Sequence, residues 1–185
     1  FFKQKTAYEI LKVSWKVVPA ATSYQIYRST AKDGDYQNIK TINSVGTSSW
    51  TDGSVKTGKT YYYKIKTVVK TQNGEQTSGF SNVKSAKAVP AKTTLKAKAS
   101  DAKNVKLTWS KVKGASGYEI YRSNSKDGKC SKVKTISKGS TTSYKNGKLK
   151  KSTTYYYKIR AYRKVNGKKV YGSYSSVVSV KTKAK

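Results

Sequence analysis

The chain of 185 residues holds only eight carboxylates against 40 Lys and Arg, and they are the first place to look for chemistry. They are Glu9, Asp33, Asp35, Asp52, Glu75, Asp101, Glu119 and Asp127. Glycoside hydrolysis needs two carboxylates facing each other across the scissile bond. Most of these acids sit in turn-like contexts, and Asp33 and Asp127, each followed by glycine, read as turn formers. The sequence contains no His, which removes nucleophile–His pairs. Cys130 is the only cysteine, so no intrachain disulfide can form. Structural zinc takes four Cys or His ligands and has no set of them here. No phosphate-binding glycine loop is present. The expectation is no catalytic, metal or cofactor site, and no enzyme.

Aromatic and basic residues are the better lead. By alternation along their strands, Tyr27, Tyr62, Tyr121, Tyr156, Tyr162 and Tyr171 are expected to point away from the cores. On a sheet face flanked by lysine, such rings are candidates for stacking on sugars or bases. The bland alternative is cross-strand tyrosine pairing that stiffens an exposed sheet. The net charge of +32 attracts polyanions of every kind: nucleic acid, anionic lipid or an anionic wall polymer. Only Arg28, Arg122, Arg160 and Arg163 are arginines, and the rest of the basic set is lysine. Lysine is a hydrated point charge, whereas base reading and bidentate phosphate sites favour arginine. A generally cationic surface is therefore expected, without specific nucleic-acid recognition.

The elements that carry these residues are written twice. A shift of 94 residues lays LKVSWKVVPAATSYQIYRSTAKDGDY (11–36) over VKLTWSKVKGASGYEIYRSNSKDGKC (105–130). The same shift lays TGKTYYYKIK (57–66) over KSTTYYYKIR (151–160); the pairs Asn73-Gly74 and Asn166-Gly167 are one residue out of step, and the register recovers with FSNV (80–83) over YSSV (174–177). Glu119 aligns with Gln25 and Cys130 with Tyr36, so neither is shared by the repeats. Cys130 reads as a small, partly buried substitute for tyrosine. The hydrophobic period within each unit is two. Val13, Trp15 and Val17 alternate with polar residues, as Val105, Leu107 and Trp109 do. Tyr61, Tyr63 and Ile65 share one face, and Tyr62, Lys64 and Lys66 the other. Asp33-Gly34, Asp127-Gly128, Asn73-Gly74 and Asn166-Gly167 supply turns. Helical periodicity is nowhere seen. The expectation is an all-β chain of two antiparallel sandwiches, spanning 11–89 and 90–185.

Several of these residues carry a family resemblance. Trp109, then GYEIY (117–121), then Leu149 followed six residues later by Tyr155, resembles the fibronectin type III domain. In the first unit the matching residues are Trp15, Val55 and Tyr61. The resemblance implies that Trp15 and Trp109 lie in the cores. It implies equally that Tyr61 and Tyr155 are tyrosine-corner residues, pinning a strand crossover to the backbone. The Lys/Tyr-rich wording (KTYYYKI, RKVNGKKVYGSYS) is similar to tandem repeats in exported proteins of anaerobic Gram-positive bacteria.

The first unit departs from the pattern. TTLKAKAS (93–100) and a turn precede VKLTW in the second unit, whereas FFKQKTAYEI runs directly into LKVSW. Residues 1–10 back-translate, from Lys3, to AAG CAG AAG ACG GCA TAC GAG AT, which resembles an adapter used in short-read DNA sequencing. On that expectation 1–10 are not native and the first sandwich lacks its native first strand. No initiator Met, leader pattern or run of about 20 apolar residues is visible. The chain thus reads as a piece of a longer protein with no membrane insertion.

The resemblance implies a monomeric, non-catalytic spacer or interaction module of a secreted or cell-surface bacterial protein. Its expected partners are anionic cell-wall polymers or polysaccharide and the neighbouring domains of its parent chain, and its expected location is extracellular or at the wall. One alternative is an accessory carbohydrate-binding module using the outward tyrosines. A second is non-specific binding of nucleic acid.

Overall fold

The computed structural model describes residues 10–185, which form two compact units, one ending at Ala88 and the other beginning at Val89. The segment 1–9, and with it nearly all of the adapter-like stretch, lies outside the described residues. Among the described residues there is no helix, and every strand pairing is antiparallel.

In the C-terminal unit β8 (Leu95–Ala99), β9 (Val105–Trp109) and β12 (Ser143–Asn146) make a three-stranded sheet with β9 in the middle. A larger sheet faces it. β10 (Gly117–Ser123) lies there between β11 (Ser131–Ile136) and the long β13 (Thr154–Val165). β13 pairs along its length first with β15 (Val178–Lys181) and then with β14 (Lys168–Tyr171). Val105, Leu107 and Trp109 point from one sheet, and Tyr118, Ile120, Tyr157 and Ile159 from the other, into a single buried core. This is the sandwich that period-two patterning specifies: one apolar face per sheet, and the polar alternates in water.

The N-terminal unit repeats the larger sheet. β2 (Ser23–Ser29) sits between β3 (Gln37–Ile42) and β5 (Thr60–Thr71), and β5 pairs with β6 (Gly74–Thr77) and β7 (Lys84–Lys87). Its smaller sheet has two described strands, β1 (Leu11–Ser14) and β4 (Ser49–Asp52). No described strand pairs with the outer edge of β1, and Leu11, Val13 and Trp15 are only half-buried against the core. Their counterparts Val105, Leu107 and Trp109 are buried. Val17 departs from the expected alternation. β1 ends at Ser14, and a turn closed by the Ala21 N–H on the Val18 carbonyl follows, leaving Val17 44% exposed.

Tyr61 and Tyr155 lie in the cores with their hydroxyls turned back to the chain. Tyr61 Oη accepts from the Lys56 N–H and Tyr155 Oη from the Lys150 N–H, both at 2.9 Å. The β13–β14 hairpin turns on Asn166 and Gly167, at φ 48° and 76°, the left-handed region that Asn and Gly tolerate best. The β5–β6 hairpin instead turns on Gln72 and Asn73, because Thr71 pairs with Gly74. The two hairpins thus keep the 94-residue register, and only the Asn-Gly pair sits one position later in the first.

Candidate interaction face

The outer face of the larger sheet, turned away from the core, gathers most of the singled-out side chains. In the C-terminal unit its centre is Glu119. β10 alternates Tyr118 and Ile120 inward, so Glu119 and Tyr121 point outward; β13 likewise sends Tyr156, Lys158 and Arg160 outward. Although it lies on the wet face, the Glu119 side chain is only 1% exposed. Arg160 Nη2 donates to its Oε2 at 2.9 Å and the Tyr121 hydroxyl to the same oxygen at 2.8 Å. Lys169 Nζ at 3.0 Å and the Tyr171 hydroxyl at 3.1 Å donate to Oε1, and Lys132 Nζ stands 3.5 Å away. Burial alone would raise the Glu119 carboxyl. The donors from Arg160, Tyr121, Lys169 and Tyr171 outweigh it and hold the group at about 2. Burial, and then a hydrogen bond to the Glu119 carboxylate, push the Tyr171 hydroxyl up.

Arg160 is also stacked. Its guanidinium lies 3.7 Å from the centre of the Tyr171 ring and 4.9 Å from that of Tyr174, while Tyr121 meets Tyr174 edge-on at 5.2 Å. Lys158 Nζ sits 4.5 Å over the outer part of the same cluster, on Tyr174. The carboxylate, a planar cation and three phenols thus form one closed network beneath a fringe of lysines.

The N-terminal unit builds the same face without the acid. Tyr27 donates to Gln25 Oε1 at 3.0 Å and meets Phe80 edge-on at 5.0 Å. Lys64 and Lys66 lie 3.9 and 4.3 Å over the Phe80 ring, and Lys64 also covers Tyr36 at 4.1 Å. Phe80 is 43% exposed.

The predicted tyrosines therefore divide. Tyr27, Tyr121 and Tyr171 join these networks, and Tyr62 and Tyr156 stand half-buried elsewhere on the outer faces. Tyr162 does not present a ring. It is 1% exposed, packed over Gly117, and its hydroxyl donates to the Ile136 carbonyl at 3.3 Å. A Cβ on Gly117 would stand 2.6 Å from the Tyr162 hydroxyl, so the large ring is accommodated only because residue 117 is glycine. The N-terminal unit has Ser23 and the smaller Val68 at the same pairing.

Two groups escaped the reading of the sequence. Glu119 is one. The other is a buried polar cluster at the core's margin, where Arg28 Nη1 meets Asp52 Oδ2 at 2.6 Å and the Tyr63 hydroxyl donates to the same oxygen at 2.9 Å. Burial raises the Asp52 carboxyl; donors from Ser54, Arg28 and Tyr63 overcome this and leave it lowered. In the C-terminal unit Asn146 takes the acid's place, accepting from Tyr157 at 2.8 Å and Arg122 at 3.3 Å. An arginine at an inward position of both repeats, two residues after Ile26 and Ile120, was the available signal. Cys130 is half-buried beside β11.

Among the described residues no three His, Cys, Asp or Glu side chains gather to hold a metal ion. The two buried carboxylates belong to separate units, and each is paired with an arginine. The arrangement offers cations and covered aromatic rings.

What this architecture defines is a tandem pair of antiparallel β-sandwiches. No family model matches the chain. It is 43% identical over 56 residues to an amylopullulanase of Thermoanaerobacter thermohydrosulfuricus, a stretch that makes up 30% of this chain and 4% of that enzyme. Among solved structures it is similar to the chicken CNTN1 FN1-FN3 domains, with a TM-score of 0.45 and 19% identity, over 95% of this chain and 63% of that one.

Proposed function

We propose that the chain is a non-catalytic tandem module of a larger secreted or cell-surface bacterial protein, one that associates with anionic wall polymer through its lysine-rich faces. The observation that carries this reading is the placing of charge. Asp52 and Glu119, two of the eight acids, are turned into buried networks and do little to offset the lysines where the surface meets solvent. The resemblance to an amylopullulanase over a small share of that enzyme's length supports a module set within a longer chain. The Lys/Tyr-rich wording supports an exported bacterial parent. On this reading residues 1–10 are adapter-derived and take no part.

The cover on Phe80 and Tyr171 argues against sugar stacking at those two rings. Lys64, Lys66 and Tyr27 occupy the surroundings of Phe80, and Arg160 occupies the Tyr171 face. The test is co-sedimentation with isolated Gram-positive cell walls, with and without extraction of their anionic polymer. Binding is expected at low ionic strength, to fall progressively as salt rises, and to be lost on extraction. Absence of binding at low salt, or binding indifferent to salt and extraction, would remove the proposal. Nucleic-acid recognition would show instead as a strand or sequence preference surviving at physiological salt.

A further inference from the structure

The outer face of the smaller sheet in the C-terminal unit carries three lysines in a row across its strands. Leu95, Leu107 and Tyr144 turn to the core, so by alternation Lys96, Lys98, Lys106 and Lys145 turn to solvent. The pairing of β8, β9 and β12 sets Lys98 opposite Lys106, and Lys106 opposite Lys145. Neighbouring strands lie about 4.8 Å apart, so the three cations stand in line over about 10 Å. Among the described strands no other row of three paired residues is all lysine.

Such a row is unfavourable by itself, because like charges directly opposite one another destabilise a sheet. None of the three lysines makes an ion pair with a described residue. Asp101 does not supply the counter-charge. Hydrogen bonds from the Lys103 N–H at 2.8 Å and from Asn104 at 2.8 and 2.9 Å hold it within its own turn. Those bonds lower its carboxyl, and the Lys145 charge adds to them. The larger sheet treats its lysines differently. Lys158 lies on Tyr174, Lys169 on Tyr162 and Glu119, and Lys64 and Lys66 on Phe80. The N-terminal unit breaks the row: Lys12, the equivalent of Lys106, pairs with Thr51 where the C-terminal unit has Lys145.

Beside this row Lys96, Thr108 and Ser143 form a second, which adds two hydroxyls for hydrogen bonding. A depression of about 250 Å³ opens between Ser100, Lys106, Ser143, Tyr144 and Lys145. Ammonium point charges suit compact anions strung along a chain, whereas bidentate recognition of a single group calls for arginine. The outward residues of both rows are lysine, threonine and serine, with no ring on which a base could stack. We infer that this face, rather than the larger sheet, is where the module binds its anionic wall polymer, and that the polymer is a linear polyphosphodiester lying across the strands. The inference rests on the wall-association reading above and gives it a place and a charge chemistry.

The probe is a synthetic hexamer of glycerol phosphate, added to the full chain at low ionic strength while NMR follows backbone amides and lysine side chains. Shifts are expected at Lys98, Lys106 and Lys145, and the C-terminal unit should gain stability in urea as the counter-charge arrives. Lys98→Gln, Lys106→Gln and Lys145→Gln made together should weaken binding about tenfold or more. The free unit should be no less stable, since a like-charge row has been removed. Lys126→Gln, Lys129→Gln and Lys138→Gln take the same charge from exposed positions off that sheet and should weaken binding less than about twofold. Equal weakening by the two triple variants, or shifts spread over the outer faces of both sheets, would overturn the inference and leave the wall-association reading in place. So would indifference to the hexamer with salt-sensitive sedimentation on walls retained; loss of both would remove the reading as well. Tighter binding of hexathymidylate at the same lysines would overturn the assignment to a wall polymer in favour of nucleic acid. If the variant of the row does not fold, the shifts in the parent chain decide alone.

Discussion

Glu119 and Asp52 show how position along a strand fails to tell whether an acid is wet. Glu119 points outward, yet Arg160, Lys169, Tyr121 and Tyr171 converge on it from three strands and close over it. Its folded-state value of about 2 lies below that of an unfolded glutamate, near 4.3. The stabilisation is therefore complete above about pH 4.5 and lost as pH falls through 2. In Glu119→Gln the C-terminal unit is expected to lose roughly 2–3 kcal/mol at neutral pH, because Arg160 and Lys169 keep their burial and lose their counter-charge. The gap from the parent should close as pH approaches 2. Urea titrations monitored by amide exchange on β10 and β13 measure it; a gap constant with pH would mean the carboxylate contributes only packing. Asp52, also lowered, gives the N-terminal unit an acid sensitivity of its own, which Glu119→Gln leaves untouched.

At the scale of elements, the crossover into β5 and β13 hangs on one hydroxyl in each unit. Tyr155→Phe keeps the ring against Arg122, whose guanidinium lies 5.0 Å from its centre, but leaves the Lys150 N–H without its acceptor. A loss of about 1–2 kcal/mol is expected in urea unfolding, with Tyr61→Phe behaving alike in the N-terminal unit. Alternation of Tyr61, Tyr63 and Ile65 was enough to read these strands and their buried face from sequence, since a residue's side of a sheet follows from its parity. Parity says nothing of what crosses to meet it. Apart from Tyr121, the Glu119 network draws on residues 13 to 52 positions away in sequence, and the Arg28–Asp52 pair joins the end of β2 to the end of β4. Val17 failed for a local reason, the turn leading to Pro19 and Ala20. Tyr162 failed because the glycine beneath it made room for the ring.

Over the whole molecule the two sandwiches are close copies with unequal cores. Leu11, Val13 and Trp15 keep part of their apolar surface in water where Val105, Leu107 and Trp109 do not. At roughly 1.5–3 kcal/mol for full burial of each large aliphatic side chain, the N-terminal unit should be less stable by about 2–4 kcal/mol. Amide exchange in increasing urea is expected to lose protection in β2 and β5 before β10 and β13; simultaneous loss would contradict this.

Tandem copies this alike also run the hazard of exchanging strands while they fold. β2 reads SYQIYRS and β10 reads GYEIYRS, and by shape either fits the other's slot. The two mismatched acids keep them apart. Were β2 to take the place of β10, Gln25 would leave Arg160 and Lys169 without a counter-ion, and Ser23 would carry its Cβ into the space that Gly117 leaves for Tyr162. Were β12 to take the place of β4, Arg28 would be left facing an amide. Glu119 and Asp52 thus act as address labels on otherwise interchangeable parts, and their value lies as much in the assemblies they forbid as in the one they hold.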